Sequence, residues 1–210
     1  MASQNKRHNN HRILEVLAVL LLGVATVGSA WCGYQASRWN GKQDDFARHA
    51  SNLQVDANRQ FGLATQSLTY DSNMLAQYAA AVTSGDEKLQ QFLRTSLIRP
   101  AFLPILDQWQ QQIAAGQTPS NLLENQDYLD AQLGPFRATQ DQVDEAAVAS
   151  QDAGSTGDDY VLTTLLLASA LFFAGLTTSF RVRFAQLMLL AASALLIAYA
   201  AARLAELAVA

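Results

Sequence analysis

An all-α membrane protein is expected: three transmembrane helices, with an extracytoplasmic antiparallel helical bundle inserted between the first and the second. Three features of the sequence carry that expectation. Ile13–Tyr34, Tyr160–Phe180 and Phe184–Ala205 are apolar runs with little charge, and a hydrocarbon core about 30 Å thick is crossed by roughly 20 apolar residues in a helix. The stretch between the first two, 35–159, holds 16 of the 18 acidic residues and eight of the 14 basic ones, a formal charge of −8. Strand signals are missing, because no alternating run of β-branched residues occurs.

The first element is a cytoplasmic tail, 1–12, carrying Lys6, Arg7 and Arg12. Arg181 and Arg183 fill the turn between the second and third runs. Short basic loops stay on the cytoplasmic side, and the two clusters independently agree on the same orientation. Residues 35–159 are then extracytoplasmic, in a bacterial cytoplasmic (inner) membrane protein with its N-terminus inside. A cleaved leader is the alternative for residues 1–30, since Gly28 and Ala30 supply small residues before a cut. The apolar run exceeds the roughly 7–15 residues of a leader's core, which favours a retained anchor. Cys32 is the only cysteine, so no intrachain disulfide forms, and the bulky Trp31 before it argues against lipidation there.

Past the first span, apolar residues recur at Phe46, Ala50, Leu53, Ala57, Phe61, Ala64, Leu68, Leu75, Tyr78 and Val82, with Asp71 where another was due. The mean step is about 3.6 residues, the straight α-helical period. No proline occurs before residue 100, so the first transmembrane helix is expected to continue outward, unbroken or kinked near Gly41. Ser84-Gly85-Asp86 signals a stop and restart. A second helix, Glu87–Ile98, would place Leu89, Phe92, Leu93 and Leu97 on one side, before Pro100 and Pro104 break the chain. A third, about 104–115, carries Ile105, Leu106, Trp109 and Ile113. Thr118–Ser120 reads as a capped turn into a short helix Asn121–Leu133, ended by Gly134 and Pro135. Phe136–Gln151 follows as a weaker helix, and Gly154 to Gly157 as a flexible joint to the second span.

Small residues recur four apart within the spans: Ala25, Ser29 and Gly33 in the first, Ala170 and Ala174 in the second, Ala194, Ala198 and Ala202 in the third. Such rows let helices approach closely in lipid, where packing replaces the hydrophobic effect. These are the candidate packing residues. The candidate interaction site is Trp31, Tyr34, Gln35, Arg38, Trp39 and Gly41, which puts aromatic, amide and cationic groups where the first helix leaves the outer interface. Glu15 is expected to pair with Arg12, and Arg203 with Glu206, one helical turn apart at the two interfaces.

Composition excludes several functions. A −8 outer segment without a basic stripe repels nucleic acid. His8 and His11 lack companion ligands, and His49 is expected to pair with Asp45 on a solvated helix face. Adjacent acids such as Asp44–Asp45 point to different faces and serve poorly as a catalytic pair. No Gly-x-Gly occurs, so no phosphate-cradling loop is present. No enzyme, metal or cofactor is expected. The partners expected are the lipid bilayer and either further copies of the chain or another membrane protein.

The run Gly33–Gln43, the segment Arg99-Pro100-Ala101-Phe102 followed by Trp109, and Asp158-Asp159-Tyr160-Val161-Leu162 leading into Leu171-Phe172-Phe173-Ala174-Gly175 resemble a family of uncharacterised bacterial membrane proteins. The resemblance covers nearly the whole chain in matching order. It implies bacterial origin, a cytoplasmic-membrane location and three spans around an external helical region; it supplies no activity and no catalytic residues. The expected role is that of a structural or interaction protein, a homo-oligomer or an accessory subunit of an envelope complex. The alternative is an extracytoplasmic ligand-sensing module acting through a membrane partner.

Overall fold

In a computed structural model, residues 2–118, 125–180 and 182–210 are described, with side chains from residue 14 onward. The described residues are mostly helical and include no strand: α1 (Ala2–Thr83), α2 (Glu87–Phe92), a π-helical turn (Leu93–Leu97), a 3-10 turn (Pro100–Phe102), α3 (Leu103–Ala114), α4 (Gln126–Thr177) and α5 (Arg183–Glu206). Helices α1, α4 and α5 each contain a stretch long and apolar enough to cross a membrane. The chain forms two compact units, one of 1–48 with 146–210 and the other of 49–145.

Gly41 causes no break, and α1 runs on to Thr83. It stops where Gly85 adopts φ +68°, a left-handed conformation that only glycine takes without strain. Asp86 then caps α2 by accepting from the Leu89 amide at 3.0 Å. Gly116, at φ +71°, ends α3 in the same way.

Three sequence expectations need correction. The helix expected over Glu87–Ile98 changes at Leu93 into a π turn, closed by the Ile98 amide on the Leu93 carbonyl at 2.8 Å. Its five-residue step buries Leu93 and Ile98 together, while Leu89, Phe92 and Leu97 face outward. Gly134 and Pro135 do not end a helix, because Pro135 lies inside α4. The Gly154–Gly157 joint is also helical. A Cβ on Gly154 would come within 2.7 Å of the Gln43 amide nitrogen, and one on Gly157 within 2.6 Å of the Asn40 amide oxygen. These glycines serve close approach of α4 to α1 rather than flexibility. The expected turn at Thr118–Ser120 and the helix start at Asn121 fall largely outside the described residues. The helix that follows begins beyond Asn125, whose side chain accepts from the Tyr128 amide at 3.0 Å.

The unit 49–145 is built around Met74, Tyr78 and Ala81 of α1, Leu93, Ile98 and Phe102 of the linking turns, Leu106 of α3 and Tyr128 of α4. Of the periodic row on α1, Ala57, Ala64, Asp71 and Tyr78 are buried, whereas Phe46 and Phe61 are exposed. Phe61 stacks instead against Phe136, with ring centroids 5.1 Å apart. The other unit packs Ala25, Cys32 and Ala36 of α1 against Tyr160, Leu167 and Ala170 of α4 and Ala200 of α5. Here the helices touch through small side chains. Ser193 Oγ donates to the Ala170 carbonyl at 2.9 Å, a hydrogen bond that joins α5 to α4.

Candidate functional site

In the unit that contains the apolar helices, polar chemistry concentrates at one end. Gln35 sits on α1 between Cys32 and Ala36 of the packed face and is itself buried. Its Oε1 accepts from the Ala210 amide at 3.0 Å. One turn on, Trp39 Nε1 donates to the Ala208 carbonyl at 3.1 Å, and Tyr160 OH donates to the same carbonyl at 3.0 Å. Arg203 of α5 pairs with Asp159 of α4 at 2.6 Å, replacing the expected partner Glu206. Leu204 and Leu207 add apolar contact below. The non-helical segment after α5 is thus held against α1 and α4 by three hydrogen bonds, and α5 to α4 by an ion pair.

The candidate interaction residues divide between two faces. Gln35 and Trp39 hold that segment, with the Lys42 ammonium 4.3 Å above the Trp39 ring. Trp31, Tyr34 and Arg38 lie at steps of three and four residues, share a neighbouring face and are exposed. The Trp31 and Tyr34 rings stand 6.1 Å apart. Gly41 is exposed, with open space where a side chain would be.

Among the candidate packing residues, Ala25, Ala170 and Ala174 are fully buried and Ser29 is half-buried, whereas Gly33 faces a groove. Ala194, Ala198 and Ala202 are exposed, so they do not pack α5 within this chain. The buried row on α5 is Gln186, Leu190, Ser193 and Ala200. An alanine-rich helix offers several rows of small residues, and Ser193, bonded to Ala170, marks the one that packs. The expected pairing of Glu15 rests on Arg12, whose side chain lies outside those described, as do His8, His11 and Arg181. Asp45 pairs with Arg48 rather than His49.

A second polar centre lies in the unit 49–145. Asp71 of α1 is fully buried. Arg99 grips both carboxylate oxygens, Nε to Oδ1 at 2.9 Å and Nη2 to Oδ2, and Tyr128 OH donates to Oδ2. Arg99 Nη1 also donates to Ser67 Oγ at 3.1 Å and Nη2 to Gln132 Oε1 at 3.4 Å. Burial first, then the bond to the Asp71 carboxylate, pushes the Tyr128 hydroxyl well above its ordinary pKa. The same carboxylate raises Arg99. Both oxygens of Asp71 are occupied by donors that keep their protons, so the arrangement ties three elements together rather than moving protons. Asp71 was visible in the sequence only as a gap in the apolar row. Arg99 Nε carries the pairing because the residue before Pro100 is forced extended, at φ −63° and ψ 140°.

Among the described residues no three His, Cys, Asp or Glu side chains gather to hold a metal ion. Scans against protein-family models, curated proteins and solved structures found no match for this chain. What the resemblance implies therefore stands on the quoted residues alone.

Proposed function

We propose that the chain is an integral membrane structural or interaction protein of a bacterial cytoplasmic membrane, acting as a homo-oligomer or as an accessory subunit of an envelope complex. Its lipid partner is the bilayer, its N-terminus faces the cytoplasm and residues 35–159 form an external helical bundle. The observation that supports this reading is the exposed face Trp31–Tyr34–Arg38 where the apolar stretch of α1 ends. Aromatic rings and arginine are the residues that most often anchor protein interfaces, and here they stand beside Gln35 and Trp39, which are already engaged. The Asp71 centre favours interaction over ligand sensing, because its buried polar atoms are satisfied from within the chain.

The test is gentle extraction from native membranes, followed by sizing and identification of co-purifying proteins. A stable oligomer or a defined partner is expected. The double variant Trp31→Ala, Tyr34→Ala should dissociate it while leaving the helical content unchanged, since both side chains are exposed. A chain that is monomeric in detergent and in nanodiscs, and brings down no partner, would overturn the reading.

A further inference from the structure

In the unit 49–145, one side of α1 has no partner within the chain. The buried residues Ala57, Ala64, Asp71 and Tyr78 recur every seventh position. At about 3.6 residues per turn, Gly62, Gln66, Thr69 and Asn73 fall on the opposite side of the helix, and all four are exposed. They form the floor of a shallow trough of about 580 Å³, with Phe61 and Tyr70 at its edges. Every residue that lines it belongs to α1. A small molecule would be held from one side only, whereas small-molecule sites enclose most of their ligand. A helix lying along α1 suits the trough better.

Charge and hydrogen bonding both point to a second copy of this chain. Between Gln60 and Gly85 the only charged residue is Asp71, which is fully buried. The segment 35–159 carries a formal charge of −8, so an uncharged side is where two copies meet without opposing like charges. Depletion of charge also distinguishes the core of protein interfaces. Around the trough, Thr69 Oγ1 donates to the Thr65 carbonyl at 2.9 Å and Tyr70 OH to the Leu97 carbonyl at 2.7 Å. The side-chain amides of Gln66 and Asn73, by contrast, make no hydrogen bond among the described residues. Two copies anchored in one bilayer share an orientation, so their α1 helices run parallel. A twofold axis then sets each residue against its own counterpart. An acid or a base would face its own charge there, whereas an amide carries both donor and acceptor and pairs with itself.

We infer that the chain forms a parallel twofold dimer through this side of α1, with Gln66 and Asn73 each pairing with its own counterpart. The steps of four, three and four from Gly62 to Asn73 are those of a seam between two parallel helices, where a buried amide fixes partner and register. Gly62 has open space where a side chain would be, which lets the two helices approach closely. Val55, seven residues earlier on the same row and 70% exposed, becomes covered. The inference rests on the homo-oligomer reading above and on α1 crossing a bilayer, and it names the surface through which the copies meet.

The test uses the full chain, with dimer measured after mild detergent extraction. Gln66→Glu and Gln66→Lys should each weaken the dimer on the order of tenfold or more, because like charges then face each other. Co-expression of the two variants under different tags should restore it, since acid then meets base. Gln66 is exposed, so helical content should not change in either. A second arm treats native membranes with copper phenanthroline, using single cysteines in a Cys32→Ala background. Gln66→Cys and Asn73→Cys should cross-link to dimers, and Asp141→Cys, exposed on α4, should not. No cross-link at 66 and 73 above the level of position 141, or no recovery on co-expression, would overturn the inference. Cross-links from both positions to a different protein would also overturn it, and would favour the accessory-subunit reading. An oligomer that persists unchanged in both charged variants would overturn the inference and leave the homo-oligomer reading intact. A monomer that brings down no partner would sink both.

Discussion

Asp71 and Arg99 show how much one polar pair depends on its surroundings. The Asp71 side chain is 0% exposed and that of Arg99 33%, whereas Arg137 and Asp130 keep 53% and 58%. Removing one partner of a buried pair strands the other charge, at about 3–5 kcal/mol, and the partial exposure of Arg99 argues for the lower end. An exposed pair contributes about 0–1 kcal/mol. Arg99→Ala should therefore lower the thermal midpoint of the detergent-solubilised protein clearly, and Arg137→Ala scarcely. Equal effects would show that Asp71 is not the centre described. Tyr128 adds a pH dependence with a definite sign. Its hydroxyl has a higher pKa in the folded state than the ordinary value near 10. That contribution is complete below about pH 10 and is lost as pH rises through the ordinary value toward the raised one. Alkaline destabilisation measured by circular dichroism should be steeper in wild type than in Tyr128→Phe, and parallel curves would remove tyrosine from the account. In the sequence, Asp71 was legible as an irregularity on a helix face. Its partners were not, because Arg99 and Tyr128 lie 28 and 57 residues away and no local pattern encodes which distant donor arrives.

The helices were legible wherever a local signal met no tertiary opposition. The 3.6-residue period on α1, the glycine stop at Gly85 and the Asp86 cap all correspond to observed structure. Pro135 is where a strong local signal loses. A proline inside a helix removes one hydrogen bond and clashes with the preceding turn, at about 3 kcal/mol. Contacts on both sides of it favour the helix: Tyr128 bonds Asp71, Phe136 stacks on Phe61, and Thr139 Oγ1 donates to Gln60 Oε1 at 3.2 Å. These contacts fix α4 against α1 over three turns, and tertiary packing of this kind routinely outweighs propensity. The helix thus persists at a cost that substitution should recover. Pro135→Ala should raise stability by about 1–2 kcal/mol, the regained hydrogen bond being offset in part by the freer unfolded chain. The measurement is the shift in thermal midpoint. A variant less stable than wild type would mean that Pro135 sets a bend on which the Phe61–Phe136 contact depends. The Gly154–Gly157 segment departs from its local signal for a related reason. Two glycines near a span suggest a joint, and only the positions of Gln43 and Asn40 reveal that they make room for a neighbouring helix.

At the scale of the whole molecule, the three apolar helices were the most legible feature, because hydrocarbon length and composition suffice to identify them. The closing of one end by the segment after α5 was not legible: Ala208 and Ala210 engage through backbone groups that carry no sequence signature. Orientation rests on charge alone, with basic clusters at 6–12 and 181–183 and a −8 segment between the first two runs. The single cysteine makes a direct test possible, since Cys32 is fully buried and should react little with a maleimide that cannot cross membranes. In a Cys32→Ala background, Asp86→Cys places a thiol in the exposed turn between α1 and α2, and Ser179→Cys places one in the exposed turn between α4 and α5. If the basic clusters face the cytoplasm, intact spheroplasts should label position 86 fully and position 179 only after lysis. The reverse pattern would invert the orientation. Labelling of both sites before lysis would mean that α4 does not cross, and the assignment of three spans would fall with it.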